Sequence, residues 1–249
     1  MRPDASARIK AAAPQQGPSK TVIGAIVAAV VIIGVVVAVI IGSNGGGGGG
    51  SVATGSGNAV PVGATGPGGG IVANPGKSRA GAPTLELYED FQCPVCGAFE
   101  RAMGSQVTRL AQAGDVRLVI HMMSFLDANL HNDSSVRAAA ASACAADQGR
   151  FLPFHAAVYA GQPTTEGEGY TDAKLRSFAQ QAGITGDALA RWSACYAGGK
   201  HVKYAQAVET AAEKAGVFQT PTIKVNGKEL ALKDLTPAYL ADQVKAATK

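Results

Sequence analysis

Charged side chains are scarce in this sequence, at 16% of its 249 residues, and residues 83–249 contain no run of like charges. That stretch carries 16 basic and 17 acidic residues, which leaves it with a net charge of −1. Electrostatic binding to nucleic acid needs a basic stripe or patch on one face. The sequence therefore predicts no nucleic-acid partner.

Closely spaced metal ligands are also missing. Cys93 and Cys96 form a C-x-x-C pair, but the other two cysteines, Cys144 and Cys195, are 51 residues apart and the four histidines are scattered. A structural zinc site normally combines two such close pairs of ligands. We therefore predict neither a metal site nor a cofactor.

Charge is absent altogether from residues 21–41, which read TVIGAIVAAVVIIGVVVAVII. As a helix rising about 1.5 Å per residue, this segment can cross a hydrocarbon layer of about 30 Å. A cleaved signal peptide has a shorter apolar core and a small-residue cleavage site, which the following VIIGSNGG does not offer. The sequence predicts a single uncleaved transmembrane helix.

The flanks of this segment predict its orientation. Residues 1–20 contain four basic side chains and one acidic side chain, a net charge of +3. Positively charged flanks stay in the cytoplasm. We predict a single-pass protein of the cell membrane, with residues 1–20 as a cytoplasmic tail and the rest of the chain extracytoplasmic.

Residues 42–82 are rich in glycine and poor in large apolar side chains. Such a composition cannot offset the entropy lost on ordering the chain, so it predicts a flexible, disordered linker. The globular domain is then expected at residues 83–249.

Hydrophobic patterning in this domain predicts an α/β fold. TLELYEDF and VRLVIHMM are typical of strands and flank a helix expected at 94–113. Only helices are expected at about 130–215, one of them interrupted by Pro153. A hairpin at Asn226-Gly227 and a helix after Thr236 follow. This order is that of a thioredoxin fold with an inserted helical domain.

The C-P-V-C motif at the first strand-to-helix junction favours redox chemistry. Cys93 at the helix N-terminus would face unpaired backbone N–H groups, which stabilise a thiolate. Cys96 is one turn further on, where a second thiol can resolve a mixed disulfide. The alternative is a locked, inert disulfide.

The segments EDFQCPVCGAFE and FQTPTIKVNGKEL resemble DsbA-like thiol-disulfide oxidoreductases, and the sequence between them is similar to membrane-tethered actinobacterial members. The resemblance covers residues 83–249. It implies that Cys93 is the nucleophile and Cys96 the resolving cysteine. It also implies that Pro221 is a cis-proline facing them and that Thr220 contacts substrate. An ordinary trans proline is the alternative at Pro221.

Two acidic residues precede the motif. Asp90 matches an acidic position often found in this family, and Glu89 is beside it, so either could relay a proton to or from Cys96. A solvated pair at a strand end is the alternative. Leu87 occupies the position at which thioredoxin itself carries a buried carboxylate.

The resemblance also implies a structural disulfide between Cys144 and Cys195, because related members with such a pair form one across the helical domain. Two free buried cysteines are the alternative. A bond that closes a loop of this length would stabilise the fold by about 4 kcal/mol.

Together these features predict a membrane-anchored enzyme that oxidises cysteine pairs of exported proteins. The alternatives are a reductase or isomerase of the same fold, or a non-catalytic peptide-binding module. Oxidation is favoured by the helix N-terminus at Cys93 and by the absence of a buried carboxylate at Leu87. The resemblance suggests a membrane reductase of the vitamin K epoxide reductase type as the electron partner.

Overall fold

The computed structural model describes residues 59–249. The predicted cytoplasmic tail, the predicted membrane span at 21–41 and the linker as far as residue 58 lie outside this part. Within residues 59–249, no helix is both long enough and apolar enough to cross a membrane.

The described chain forms one five-stranded sheet with helices around it. In chain order the strands are β1 (Ile71–Val72), β2 (Thr84–Glu89), β3 (Arg117–Met122), β4 (Thr222–Val225) and β5 (Lys228–Glu229). The helices are α1 (Pro94–Ala113), α2 (Leu126–Leu130), α3 (Ser134–Ala146), α4 (Phe151–Ala160), α5 (Asp172–Gln181), α6 (Gly186–Ala197), α7 (Val202–Lys214) and α8 (Pro237–Ala247). The predicted thioredoxin-like α/β fold with a helical insertion is confirmed.

Strand β2 is the centre of the sheet, whose order is β1-β3-β2-β4-β5. It runs parallel to β3 and antiparallel to β4, so that Leu87 is paired with Ile120 on one side and Ile223 on the other. These three side chains are almost completely buried. Because β2 is central, its C-terminal end lies between β3 and β4, and the C-P-V-C motif follows it.

Helix α1 has the predicted bounds because both of its ends carry specific signals. Pro94 is its first residue, where a missing N–H costs no hydrogen bond. Gly114 follows its last residue with φ of 76°, in the left-handed region that favours glycine. The N–H of Gly114 donates to the carbonyl of Ala111, which ends the helix.

The expected break at Pro153 is wrong, because helix α4 continues through it from Phe151 to Ala160. Pro153 is the third residue of the helix. The N–H groups of the first turn have no partner within a helix, so the proline removes no hydrogen bond there.

The prediction of a flexible linker as far as residue 82 is also wrong for its described part. Strand β1 pairs antiparallel with β3, and Ile71 is buried. The buried side chain of Asn74 donates to the carbonyls of Ala111 and Val116 and accepts the N–H of Leu118. Backbone pairing and one amide side chain attach this segment to the domain, although it has few large apolar residues.

The helical insertion is built around α3, a small-residue helix with most of its side chains buried. A disulfide joins Cys144 of α3 to Cys195 of α6. Beside it, the indole N–H of Trp192 donates to the carbonyl of Ala141 at 3.0 Å. The bond and the buried indole therefore hold the same two helices together.

Replacing both Cys144 and Cys195 with alanine should lower the free energy of unfolding by about 4 kcal/mol, because the bond closes a loop of 51 residues in the unfolded chain. Denaturant unfolding of the full chain measures this. The parent protein after full reduction should show a similar loss. A change below about 1 kcal/mol would contradict a structural role for the bond.

Candidate functional site

Cys93 and Cys96 lie where β2 leads into α1. Cys93 occupies the N-cap position with extended backbone angles, and its Sγ accepts the N–H of Cys96 at 3.4 Å. Both thiols are free and both residues are buried, with exposed fractions of 6% for Cys93 and 0% for Cys96. The helix N-terminus thus directs its backbone donors at the sulfur of Cys93.

This geometry gives the two thiols very different pKa values. A hydrogen bond from the Cys96 thiol, together with the N–H groups of Val95 and Cys96 at the start of the helix, lowers the pKa of Cys93 to about 6 against the opposing effect of burial. Burial raises the pKa of Cys96 well above its usual range. These opposite shifts favour the thiolate at Cys93 and the neutral thiol at Cys96.

The loop before β4 faces this pair. The Thr220-Pro221 peptide bond is cis, and the carbonyl oxygen of Thr220 is 3.5 Å from Cys93 Sγ. The structure therefore brings Cys93, Cys96, Thr220 and Pro221 together, although more than 120 residues separate the two segments in the sequence. Proline has no N–H, so position 221 offers no backbone donor beside the sulfurs.

Glu89 is completely buried at the end of β2, so the alternative of a solvated acidic pair is wrong. Its Oε2 lies 2.8 Å from Nε2 of His155 in α4. Its Oε1 is enclosed and accepts no N–H within residues 59–249, and the neighbouring carboxyl of Glu100 shares a hydrogen bond with Glu89. Burial raises the pKa of Glu89 to about 8 and lowers the pKa of His155.

Asp90 is equally buried but is held by several donors. Its carboxylate accepts the N–H groups of Gln92 and Leu126 and the hydroxyl of Ser135. Burial raises the pKa of Asp90 to about 7. These hydrogen bonds connect the end of β2 to α2 and α3. Asp90 therefore stabilises the loop before Cys93.

Glu100 is a residue of this site that the sequence prediction missed. It lies in α1 four residues after Cys96, a spacing that places both on one helix face. Burial raises the pKa of Glu100 to about 7, with a further contribution from the negative charge of Glu89. His155 was also missed, and no local pattern could have revealed it.

A cavity of about 470 Å³ opens between α1 and α4 next to these groups. Glu100, His155 and Tyr159 line it, together with the basic residues Arg101 and Arg109. Glu89 itself does not line this cavity, but its hydrogen-bond partner His155 does.

Two groups within residues 59–249 bring three potential metal ligands within 4.8 Å of one another. The group of Cys144, Cys195 and His201 has its sulfurs in the disulfide. In the group of Glu89, Glu100 and His155, a hydrogen bond already joins the imidazole to one carboxylate.

An acidic cysteine at a helix N-terminus, a buried second thiol and a facing cis-proline define a thiol-disulfide oxidoreductase of thioredoxin-like fold. The family model described as Thioredoxin matches residues 75–246. The chain belongs to the thioredoxin family and, within it, to the DsbA-like thiol-disulfide oxidoreductases. The predicted resemblance to DsbA-like thiol-disulfide oxidoreductases and the predicted enzyme class are confirmed, while the membrane tether stays a prediction.

Several solved structures are similar to the chain. Oxidised DsbA from Mycobacterium tuberculosis is 32% identical with a TM-score of 0.57, over 69% of this chain and 89% of that one. The reduced disulfide bond oxidoreductase DsbG from the same organism is 31% identical with a TM-score of 0.59, over 73% and 88%. MdbA, a thiol-disulfide oxidoreductase from Corynebacterium diphtheriae, shares the fold at 23% identity and a TM-score of 0.60, over 76% and 94%.

Among curated proteins the chain is similar to the serine/threonine-protein kinase PknE of Mycobacterium tuberculosis, at 28% identity over 173 residues. This match covers 66% of the present chain but 30% of the kinase. The chain therefore spans less than a third of the length of that relative.

Proposed function

We propose that the protein is anchored to the membrane by residues 21–41 and oxidises cysteine pairs of exported proteins on the extracytoplasmic side. The observation that carries the proposal is the contrast between the two thiols. Stabilising Cys93 as a thiolate stabilises the reduced enzyme, which makes the disulfide form an oxidant. The uncharged span and the basic flank in the sequence support the location.

The proposed reaction begins with a disulfide between Cys93 and Cys96. A substrate thiolate attacks Cys93 Sγ, the bond to Cys96 breaks, and Cys96 leaves as a thiolate that takes up a proton. A second substrate thiolate then attacks the substrate sulfur of this mixed disulfide. Cys93 departs as a thiolate, so two electrons have passed from the substrate to the enzyme. The low pKa of Cys93 makes it a good leaving group in this last step.

Thr220 and Pro221 are proposed to hold the substrate beside Cys93. Their backbone faces the sulfurs, and an extended peptide can pair with Thr220 in the manner of an added strand. Reoxidation of Cys93 and Cys96 needs an electron acceptor. The family resemblance suggests a quinone-linked membrane reductase of the vitamin K epoxide reductase type.

Glu89 is proposed as the proton donor and acceptor for Cys96. Its pKa of about 8 leaves it mostly protonated at neutral pH, and once ionised its charge acts on the Cys96 thiol. Its partner His155 lines, with Glu100, the cavity between α1 and α4, through which protons could exchange with solvent. Asp90, the other predicted candidate, already accepts hydrogen bonds from three donors, so its carboxylate is not assigned this role.

The buried Glu89 also corrects one premise of the predicted direction. The predicted direction relied on the absence of a buried carboxylate at Leu87, yet Glu89 is completely buried two residues further along the strand. The oxidising direction therefore depends on the acidity of Cys93 alone. A reductase or isomerase of the same fold is the competing function.

The redox potential of the cysteine pair should lie between about −120 and −180 mV, as in oxidases and isomerases. Equilibrating the detergent-solubilised full chain with glutathione buffers measures it. The Cys144→Ala, Cys195→Ala variant, which lacks the second disulfide, should give the same value. A potential near about −270 mV is typical of thioredoxin and would make the protein a reductase.

The Cys96→Ser variant should accumulate mixed disulfides between Cys93 and exported proteins, because the second thiol that releases them is gone. Membranes from cells that produce this variant can be separated without reduction and the trapped proteins identified. A Cys93→Ser, Cys96→Ser variant is the matched control. Trapping of cytoplasmic proteins alone would overturn the proposed location.

Replacing Glu89 with glutamine should slow the attack of Cys96 on a Cys93-glutathione mixed disulfide by about 100-fold, because general base catalysis is lost. In the parent protein the rate should rise as the pH passes about 8, where Glu89 loses its proton. The variant should lack this rise. Stopped-flow measurement follows the reaction. Glu86→Gln, a change on the same strand, is the control. Equal rates in the parent and Glu89→Gln proteins would exclude Glu89 as the proton acceptor.

A further inference from the structure

The backbone just before Cys93 is held by side chains of the helical insertion. The hydroxyl of Tyr159 donates to the carbonyl of Asp90 at 3.2 Å, and the hydroxyl of Tyr170 donates to the carbonyl of Phe91 at 2.7 Å. These two donors come from the end of α4 and from the segment that connects it to α5. The loop that carries the nucleophile therefore depends on contacts with the insertion as well as on the sheet.

Gln162, in the same connecting segment, reaches the nucleophile itself. Its Nε2 donates to the carbonyls of Phe91 and Cys93, at 2.9 Å in both cases. The carbonyl of Cys93 also accepts the N–H of Gly97, which is the first backbone hydrogen bond of α1. The Gln162 amide thus shares an acceptor with the helix that stabilises the thiolate.

Gly97 shows how closely Gln162 fits against α1. A Cβ atom at position 97 would lie within 1.9 Å of Gln162 Oε1, so any larger residue would displace the amide. The backbone of Gly97 is helical, and the glycine is needed for this close approach. The glycine of the CPVCG sequence therefore leaves room for a side chain 65 residues further along the chain.

We propose that Gln162 is a positioning residue through which the helical insertion holds Cys93 in the geometry that its thiolate requires. The inference rests on the proposed function and assigns the helical insertion a part in it. Cys93 Sγ receives the N–H of Cys96 only while the Cys93 backbone keeps its extended N-cap angles. Gln162 restrains the peptide groups on both sides of Phe91–Cys93 and so limits rotation of that backbone.

The effect of Gln162 on Cys93 can be separated from the effects of the titratable groups near the sulfur. Cys96 and Glu89 act on Cys93 through a hydrogen bond and through charge, respectively. Neither contacts Gln162 by a hydrogen bond among the described residues. A change at Gln162 therefore alters the position of the cysteine while leaving those two groups in place.

The test replaces Gln162 with methionine, which keeps the length of the side chain but removes the donor. Both hydrogen bonds of Nε2 are then lost, and the ratio of thiolate to thiol at Cys93 should fall about fivefold at a given pH, the equivalent of one hydrogen bond to the sulfur. Ultraviolet absorbance of the thiolate and the pH dependence of alkylation measure it on the detergent-solubilised full chain. Gln180→Met, an exposed change in α5, is the matched control.

Tyr170→Phe provides a second variant, because it removes a donor to Phe91 but none to Cys93. It should shift the ratio less than Gln162→Met does. Should Gln162→Met fail to fold, Gln162→Asn shortens the reach of the amide and tests the same bond. A ratio within twofold of the parent, or an equal shift in Gln180→Met, would overturn the inference even if the unfolding midpoint falls.

The parent protein distinguishes this inference from the proposed function. If Cys93 of the parent titrates at the pH of an ordinary thiol, the proposed function loses its main support. If the parent Cys93 is acidic and Gln162→Met is equally acidic, the proposed function stands and the positioning role fails.

Discussion

The interaction on which the site depends is the one between the sulfur of Cys93 and the N-terminus of α1. A helix leaves its first N–H groups without backbone partners, and here the sulfur of Cys93 occupies the position where they point, which favours its thiolate form. The same arrangement leaves Cys96 one turn inside the helix, buried and protonated. A difference in acidity between two identical side chains follows from their positions relative to one helix end.

That arrangement requires the loop between β2 and α1 to be rigid, and the insertion provides most of its supports. Asp90 is bonded to α2 and α3, while the carbonyls of Asp90, Phe91 and Cys93 accept donors from the region of α4 and the segment after it. The disulfide between Cys144 and Cys195 stabilises the same insertion. The structural disulfide thus supports the scaffold on which the redox-active pair is positioned.

Local patterns predicted the parts of the fold that have local causes. The bounds of α1 follow from Pro94 and Gly114, and the turn at Asn226-Gly227 follows from residues that tolerate positive φ. The prediction failed where a distant partner supplies the stabilisation. The composition of residues 59–82 predicted no ordered structure. In the folded domain, however, strand β1 pairs with the edge of β3, and the side chain of Asn74 donates hydrogen bonds to two buried carbonyls.

The sequence by itself determined the cysteine pair and the class of chemistry, because C-P-V-C at the start of a helix contains two thiols and the helix end within four residues. Only the tertiary structure decided which carboxylate is buried behind Cys96 and which side chains hold the loop. Glu89 and Asp90 are adjacent in sequence and equally buried, yet Asp90 is bonded to three donors, whereas Glu89 interacts with His155 and Glu100. Their partners, Ser135 and His155, come from the insertion, and contacts over such separations leave no periodic signal in the sequence.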